Sequence, residues 1–145
     1  MNRILSSENL HATTVALNGR AVMLAGPSGA GKSDLALRLF DRGFVLVSDD
    51  RTIVHKENGR LLATAPDTIR GKIEIRGIGI VEVDTVDQVP VALMVELTSD
   101  LIRLPDDSRS RDILGVSIPL INVDAMTASA PAKVALALAR LGLNF

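Results

Sequence analysis

Residues Gly26-Pro27-Ser28-Gly29-Ala30-Gly31-Lys32-Ser33 form a complete G-x-x-x-x-G-K-[ST] phosphate-binding loop. Glycines at 26, 29 and 31 let the backbone curl until its N–H groups point inward at phosphate oxygens. Lys32 has the reach for β- and γ-phosphates, and the Ser33 hydroxyl can ligate Mg²⁺. Phosphoryl transfer also needs a group that positions or deprotonates the acceptor. Asp49-Asp50 suits that role, since one carboxylate can deprotonate a hydroxyl while its neighbour holds the metal. The competing reading is a solvated turn with Arg51 as a local partner.

Other residues offer chemistry with less specificity. Glu74 and Arg76 stand two apart, so on a strand they share a face. Glu74 would complete the metal sphere and Arg76 would neutralise phosphate charge, or the two form a solvent-facing ion pair. His11 offers a proton shuttle or phosphate ligand, or is a polar surface residue. Arg103, Arg109 and Arg111 surround an acidic stretch, as a mobile cationic lid or an ordinary solvated loop. Arg38 and Arg42 read as structural residues on the exposed face of a helix.

These residues need elements to hold them. Thr13–Leu17 and Arg20–Ala25 flank Asn18-Gly19, a strong hairpin signal. The second of these strands delivers the loop, and Ser33–Phe40 reads as the helix after it. Asp41-Arg42-Gly43 stops that helix. Phe44–Ser48 reads as a short buried strand ending at Asp49-Asp50, expected beside the loop strand. Arg51–Lys56 and Arg60–Ala63 flank a second hairpin signal, Asn58-Gly59. Ile73–Val83 alternates apolar and polar residues and reads as one strand, with Gly77 and Gly79 at a bulge or close approach. Val91–Leu97 and Ile118–Val123 are further strands. Met1–Leu10 reads as a lead-in and Leu104–Arg111 as a loop. Pro131–Leu141 is a C-terminal helix with Ser129 as candidate N-cap. Leu136, Leu138 and Leu141 give that helix an apolar face to spare. Hairpins outnumber crossovers, which predicts an α/β fold: a P-loop strand–loop–helix core in a mixed, largely antiparallel sheet with two helices.

Composition narrows the classes. The 145 residues suit one domain, 1–145, and 47% hydrophobic with 23% charged residues suits a soluble globular chain. Net charge is −1 with no long basic run, so no nucleic-acid partner is expected. Tyr and Trp are absent, leaving Phe40, Phe44 and Phe145 as the aromatics. A nucleotide base would then be held by apolar contacts and backbone hydrogen bonds. Cysteine is absent, which excludes disulfides and thiolate metal sites. No apolar stretch approaches the ~18–20 residues of a membrane span, and the first residues lack a signal-like apolar run. A cytoplasmic location with no membrane partner is expected.

Four segments, taken in order, resemble one family. They are His11; the loop through Asp34; Leu46-Val47-Ser48-Asp49-Asp50; and Ile73-Glu74-Ile75-Arg76-Gly77-Ile78-Gly79-Ile80. Together they resemble the catalytic domain of bacterial HPr kinase/phosphorylase, over about residues 9 to 125. Leu114-Gly115-Val116-Ser117-Ile118-Pro119 is also similar to the segment before that family's C-terminal helices. The resemblance implies an HPr kinase C-terminal-domain-like fold, in a short form without the family's usual N-terminal domain. It implies an ATP- and Mg²⁺-dependent protein serine kinase acting on the phosphocarrier HPr. It also implies removal of that phosphate by inorganic phosphate, giving pyrophosphate.

By the same resemblance, His11 matches the active-site histidine and Asp49 the base in the kinase direction and acid in reverse. Asp50 supports Asp49. Gly26, Pro27, Ser28, Gly29, Ala30, Gly31, Lys32 and Ser33 hold the nucleotide, and Ser33, Asp34 and Glu74 are metal or neighbouring groups. Arg76 belongs to the signature, and Arg103 matches an arginine used in dephosphorylation. A homo-oligomer, a hexamer in the family, is implied. The chain departs from the pattern at Pro27, where an acid is common, and at Asp34, where glutamate is common. Residues 126–133 replace the family's Pro-Gly-Arg-Asn segment. Two rivals stand beside this reading: a small-molecule kinase with Leu104–Arg111 as acceptor lid, and a non-catalytic ATP-binding regulator. A pure sensor has no need of a base, so the Asp49-Asp50 pair favours an enzyme.

Overall fold

The computed structural model describes residues 6–100 and 109–145. Strand β1 (Ser7–Leu10) leads into β2 (Ala12–Leu17) and β3 (Arg20–Ala25). The turn between β2 and β3 puts Asn18 at φ 51° and Gly19 at φ 78°. Two successive positive φ angles match the strand twist of a tight hairpin, and Asn-Gly tolerates them best. Val22, Met23 and Leu24 are buried, so both faces of β3 are covered. The loop follows, then α1 (Lys32–Phe40), which buries Leu35, Ala36 and Leu39 along one stripe. Gly43, at φ 88°, turns the chain out of the helix into β4 (Val45–Ser48).

The next elements are β5 (Thr52–Glu57) and β6 (Arg60–Thr64), then β7 (Lys72–Ile75) and β8 (Gly79–Glu82). After them come β9 (Val89–Leu97), β10 (Ser110–Ile113), β11 (Val116–Val123) and α2 (Ala130–Leu141). The main sheet runs β1-β5-β6-β9-β3-β2-β4, with β11 also on β9 and β10 beyond it. Strands β3, β9 and β11 are parallel, and the other pairs are antiparallel. The expected mixed sheet with two helices is therefore present. Each face of the sheet has its own core. Helices α1 and α2 cover one, through Leu35, Leu39, Val134 and Leu138 against Val22, Leu24, Leu93 and Val95. The curled outer strands cover the other, through Leu10, Val54, Leu61, Ile113 and Ile118.

Several expectations need correction. β4 does not lie beside the loop strand; β2 lies between them, pairing Val15 with Val22 and with Leu46. A strand has two edges, and those of β3 are taken by its hairpin partner β2 and by β9. Ile73–Val83 is not one strand but the β7–β8 hairpin, turning at Arg76–Ile78 with Ile78 N–H on Ile75 O at 3.0 Å. Ile73, Ile75, Val81 and Val83 pack inward either way and share parity, so alternation cannot separate a strand from this hairpin. Gly77 and Gly79 face open space and serve the turn, not a close approach. Ser7–Leu10, read as lead-in, pairs with β5, and Ser110–Ile113 makes Arg111 a strand residue. On α2, Leu138 is buried and Leu141 half-buried, leaving Leu136 as the exposed leucine. Ser129 stands at the N-cap position, but its side chain makes no cap hydrogen bond.

A polar clamp closes the base of the β7–β8 hairpin. Arg70 donates to Ala65 O at 2.9 Å and to Asp67 at 3.1 Å, and pairs with Asp87 at 2.8 Å. The Thr64 hydroxyl donates to the other Asp87 oxygen. Burial pushes the Asp87 carboxyl up, but the Thr64 hydroxyl, Arg70 guanidinium and Gln88 amide outweigh it and hold it below the usual range. A lowered carboxyl contributes stability above its unfolded value, about 3.9, and loses it as pH falls through the folded value. The Asp87 side chain is 43% exposed, so solvent screening limits the effect to under about 1 kcal/mol. Asp87→Asn is expected to lower the melting temperature at pH 7, with the gap closing as pH falls towards about 3. Thermal melts of both proteins across that range check it; a gap constant with pH would refute the linkage.

Candidate active site

The loop between β3 and α1 is held by backbone and by its own lysine. Ala30 N–H bonds Pro27 O at 3.1 Å, and Leu35 N–H bonds Gly31 O at 2.9 Å. Lys32 is buried, with Nζ donating to Gly26 O at 2.8 Å and Pro27 O at 3.2 Å. Its ammonium therefore sits in the mouth of the loop. Gly31 caps α1 with no side-chain hydrogen bond, so first-turn amides have no side chain competing for them. Positive helix end, glycine-rich backbone and ammonium together make an anion cradle.

Asp49 sits 7% exposed just past β4. One carboxylate oxygen accepts the Ser33 hydroxyl at 2.6 Å and the Thr13 hydroxyl at 3.1 Å. The other accepts the Glu74 backbone N–H at 3.0 Å. Asp49 thus ties together β2, α1 and β7. The following residues form a tight turn. Arg51 N–H bonds Asp49 O at 2.7 Å across Asp50, which has φ 64°. The Ser48 hydroxyl bonds Arg51 O, and Asp50 N–H bonds Thr13 Oγ1 at 3.0 Å. Left-handed backbone at a non-glycine residue carries strain, which the bonds on both sides support.

The other candidates fall in different places. Asp50 is exposed beside Asp49. The Asp34 carboxylate, exposed on α1, pairs with Arg38 at 3.0 Å rather than joining Asp49. Arg38 also donates to Thr127 O at 3.2 Å and to Ala125 O, which confirms a structural role. Glu74 meets Asp49 through its amide, while its side chain lies on the exposed outer face of the hairpin, opposite Ile80. Arg76 starts the turn, so it does not share a strand face with Glu74. His11 is exposed and lines a cleft of about 410 Å³ with Gly26, Glu96 and Arg111. Arg109 bonds Asn122 at 2.5 Å, and Arg103 lies outside the described residues.

Two residues of the site, Glu96 and Thr13, are not among those the motifs single out. Glu96 ends β9 in register with Ala25, at the strand end where Asp49 was expected. An apolar run, Val91–Val95, ending on an acid was the available signal. Thr13 is one β-branched residue in an apolar strand, and nothing local distinguishes it.

The residues fit a magnesium nucleotide. The Ser33 hydroxyl gives its proton to Asp49, so its lone pairs stay free for a cation. Among the described residues, no three His, Asp or Glu side chains converge on a metal position. Mg²⁺ commonly takes one or two protein ligands and completes its sphere with water and phosphate, which this sparse oxygen set matches.

Glycine requirements give a direct test. At Gly31, φ is 95° and an added Cβ would meet Ala125 Cβ at 3.2 Å; at Gly29, φ is 84° with nothing within 4 Å. Left-handed backbone costs an L side chain about 1–2 kcal/mol. Gly31→Ala should therefore lower the melting temperature by several °C, roughly 3–8 °C, and more than Gly29→Ala. Calorimetric melts of the two variants decide; equal losses would remove the Ala125 contact from the account.

Comparison with known proteins places the chain in a family. A family model described as the HPr Serine kinase C-terminal domain matches residues 2–140. A protein of Limosilactobacillus reuteri (strain DSM 20016) named HPr kinase/phosphorylase is 35% identical over 140 residues, covering 88% of this chain and 44% of that protein. One of the same name from Prosthecochloris aestuarii is 37% identical over 129 residues, covering 80% and 38%. The chain thus spans less than half the length of these curated relatives. A solved structure, the Hpr(Ser) kinase/phosphatase from Coxiella burnetii, superposes with TM-score 0.79 at 30% identity, covering 91% of this chain and 94% of that one. By family model, sequence and fold together, the chain belongs to the HPr serine kinase C-terminal domain family.

Proposed function

We propose that this chain is an ATP- and Mg²⁺-dependent protein serine kinase whose acceptor is an HPr-like phosphocarrier. The observation that carries the reading is the Ser33–Asp49 hydrogen bond at 2.6 Å, which brings the Asp-Asp turn onto the phosphate loop. The loop amides and Lys32 hold the β- and γ-phosphates and offset the charge that develops on them. Ser33 is the hydroxyl ligand for the metal; bound magnesium would supply charge neutralisation at the phosphates.

Asp49 acts as the base. An ionised carboxylate has about four acceptor positions, and Ser33, Thr13 and the Glu74 amide occupy three. The remaining position accepts the proton of the acceptor serine as its oxygen takes the phosphoryl group. In the reverse direction, an oxygen of inorganic phosphate attacks the phosphorus of phosphoserine, the bond from phosphorus to the serine oxygen breaks as protonated Asp49 gives that oxygen its proton, and pyrophosphate is the product formed. Arg111, on the cleft beside Gly26, supplies positive charge on the acceptor side, and His11 offers a hydrogen-bonding imidazole there. A homo-oligomer belongs to the same reading; exposed Leu136 and Met126 around α2 support it.

Intact mass spectrometry of HPr after incubation with this protein and Mg²⁺-ATP tests the proposal. One added phosphoryl group on a serine is expected, and its removal on adding phosphate. Asp49→Asn should slow transfer by about 10²- to 10⁴-fold while calorimetric nucleotide affinity stays near wild type. Unmodified HPr under these conditions would overturn the choice of acceptor. Full transfer by Asp49→Asn would overturn the choice of base.

A further inference from the structure

Thr13 is fully buried on β2 and belongs to neither the loop nor the Asp-Asp turn. Its hydroxyl nevertheless touches the turn twice. It donates to the Asp49 carboxylate at 3.1 Å and accepts Asp50 N–H at 3.0 Å. A hydroxyl has one proton and two lone pairs, so the two contacts are complementary. One sets where the Asp49 oxygen points; the other holds the amide of the residue in left-handed conformation.

The strand beneath Thr13 is braced as well. Thr52 Oγ1 donates to Ala12 O at 2.9 Å, so in its 2.7 Å contact with Thr52 the Thr14 hydroxyl must be the donor. Thr14 and Thr52 are fully buried, and Thr52 opens β5 directly after the turn. Both ends of the turn are thereby fixed to the same short stretch of β2. Among the described residues no buried side-chain N or O lacks a partner, so the network has no slack group to re-pair when one hydroxyl is removed.

We infer that Thr13 is a positioning residue, which holds the Asp49 carboxylate and the Asp50 amide in the geometry needed for phosphoryl transfer. The inference rests on the assignment of Asp49 as base. Thr13 is fully buried on β2 and outside the phosphate loop, so its removal should act on turnover rather than on nucleotide binding.

The test compares Thr13→Val, Thr13→Ser and Asp49→Asn in steady-state phosphorylation of HPr, with ATP affinity by calorimetry and melting temperature. Valine keeps the shape and strand preference of threonine and removes the hydroxyl. Thr13→Val should lose about 10- to 100-fold in kcat, as expected for a misplaced reacting group, with the KM and affinity for ATP within about 2-fold of wild type. Thr13→Ser, which retains the hydroxyl, should recover most of the loss. Should Thr13→Val not fold, Thr13→Ala supplies the same reading. Wild-type kcat in the hydroxyl-free variant beside an inactive Asp49→Asn would overturn the role of Thr13 and leave the base standing. A serine variant as slow as valine, or ATP affinity falling in step with kcat, would reduce Thr13 to packing and overturn it too. Full activity in Asp49→Asn would remove the base assignment and this inference with it.

Discussion

One carboxylate organises this site. Asp49 accepts hydrogen bonds from β2, from the first turn of α1 and from β7, through Thr13, Ser33 and the Glu74 amide. These segments are far apart in the chain, and little else polar joins them. Buried polar atoms need hydrogen-bond partners, and these three satisfy both Asp49 oxygens and fix where they point. The same bonds therefore keep the loop, the turn and the hairpin in register.

The sheet order explains why this contact is possible. β4 is two strands from β3, and neighbouring strands lie about 4.8 Å apart. A carboxylate after β4 could not reach a loop standing directly above β3. Helix α1, however, packs across β2 and against β7 and β4, and the Ser33–Asp49 bond places its first turn on the β4 side. Ser33 meets Asp49 above the strand that separates them. The parallel partner of the loop strand is β9, and the carboxylate at its end is Glu96. Glu96 points to the opposite face of the sheet, into the cleft shared by His11, Gly26 and Arg111. The site thus has two sides. Asp49 and Ser33 lie towards the helices, and the cleft lies under the curled strands.

One non-glycine residue of left-handed backbone stands at the site itself. Asp50 has left-handed backbone, and the turn around it is closed by Ser48, Arg51 and Thr13. Such a conformation persists because the surroundings over-determine it. The β7–β8 hairpin shows the opposite economy. Two strands alone are marginal in water, and this pair depends on Ile73, Ile75, Val81 and Val83 packing against the helix-side core. The Arg70 clamp fixes its base, while Ile78 and Ile80 stay exposed at its tip and outer face.

Much of this was legible in the residues because the physics is local. The phosphate loop needs glycines, lysine and serine in one contiguous order, so spelling alone reveals it. Asn18-Gly19 and Asn58-Gly59 mark hairpins because few other pairs tolerate two positive φ angles. The helices follow from their apolar stripes. Strand neighbours are a different matter, since pairing depends on which edges are already occupied. That competition put β2 between β3 and β4, and made a strand of Ser7–Leu10. Parity concealed the turn inside Ile73–Val83, because both arrangements bury the same residues. Thr13 and Glu96 acquire their places only through register, one hydroxyl meeting a turn thirty-six residues away and one carboxylate levelling with Ala25. The sequence by itself determined the anion cradle and the hairpins, where cause and effect lie within a few residues. Tertiary structure alone decided which side chains meet in the site, because contact across a sheet is set by the whole packing order rather than by any one segment.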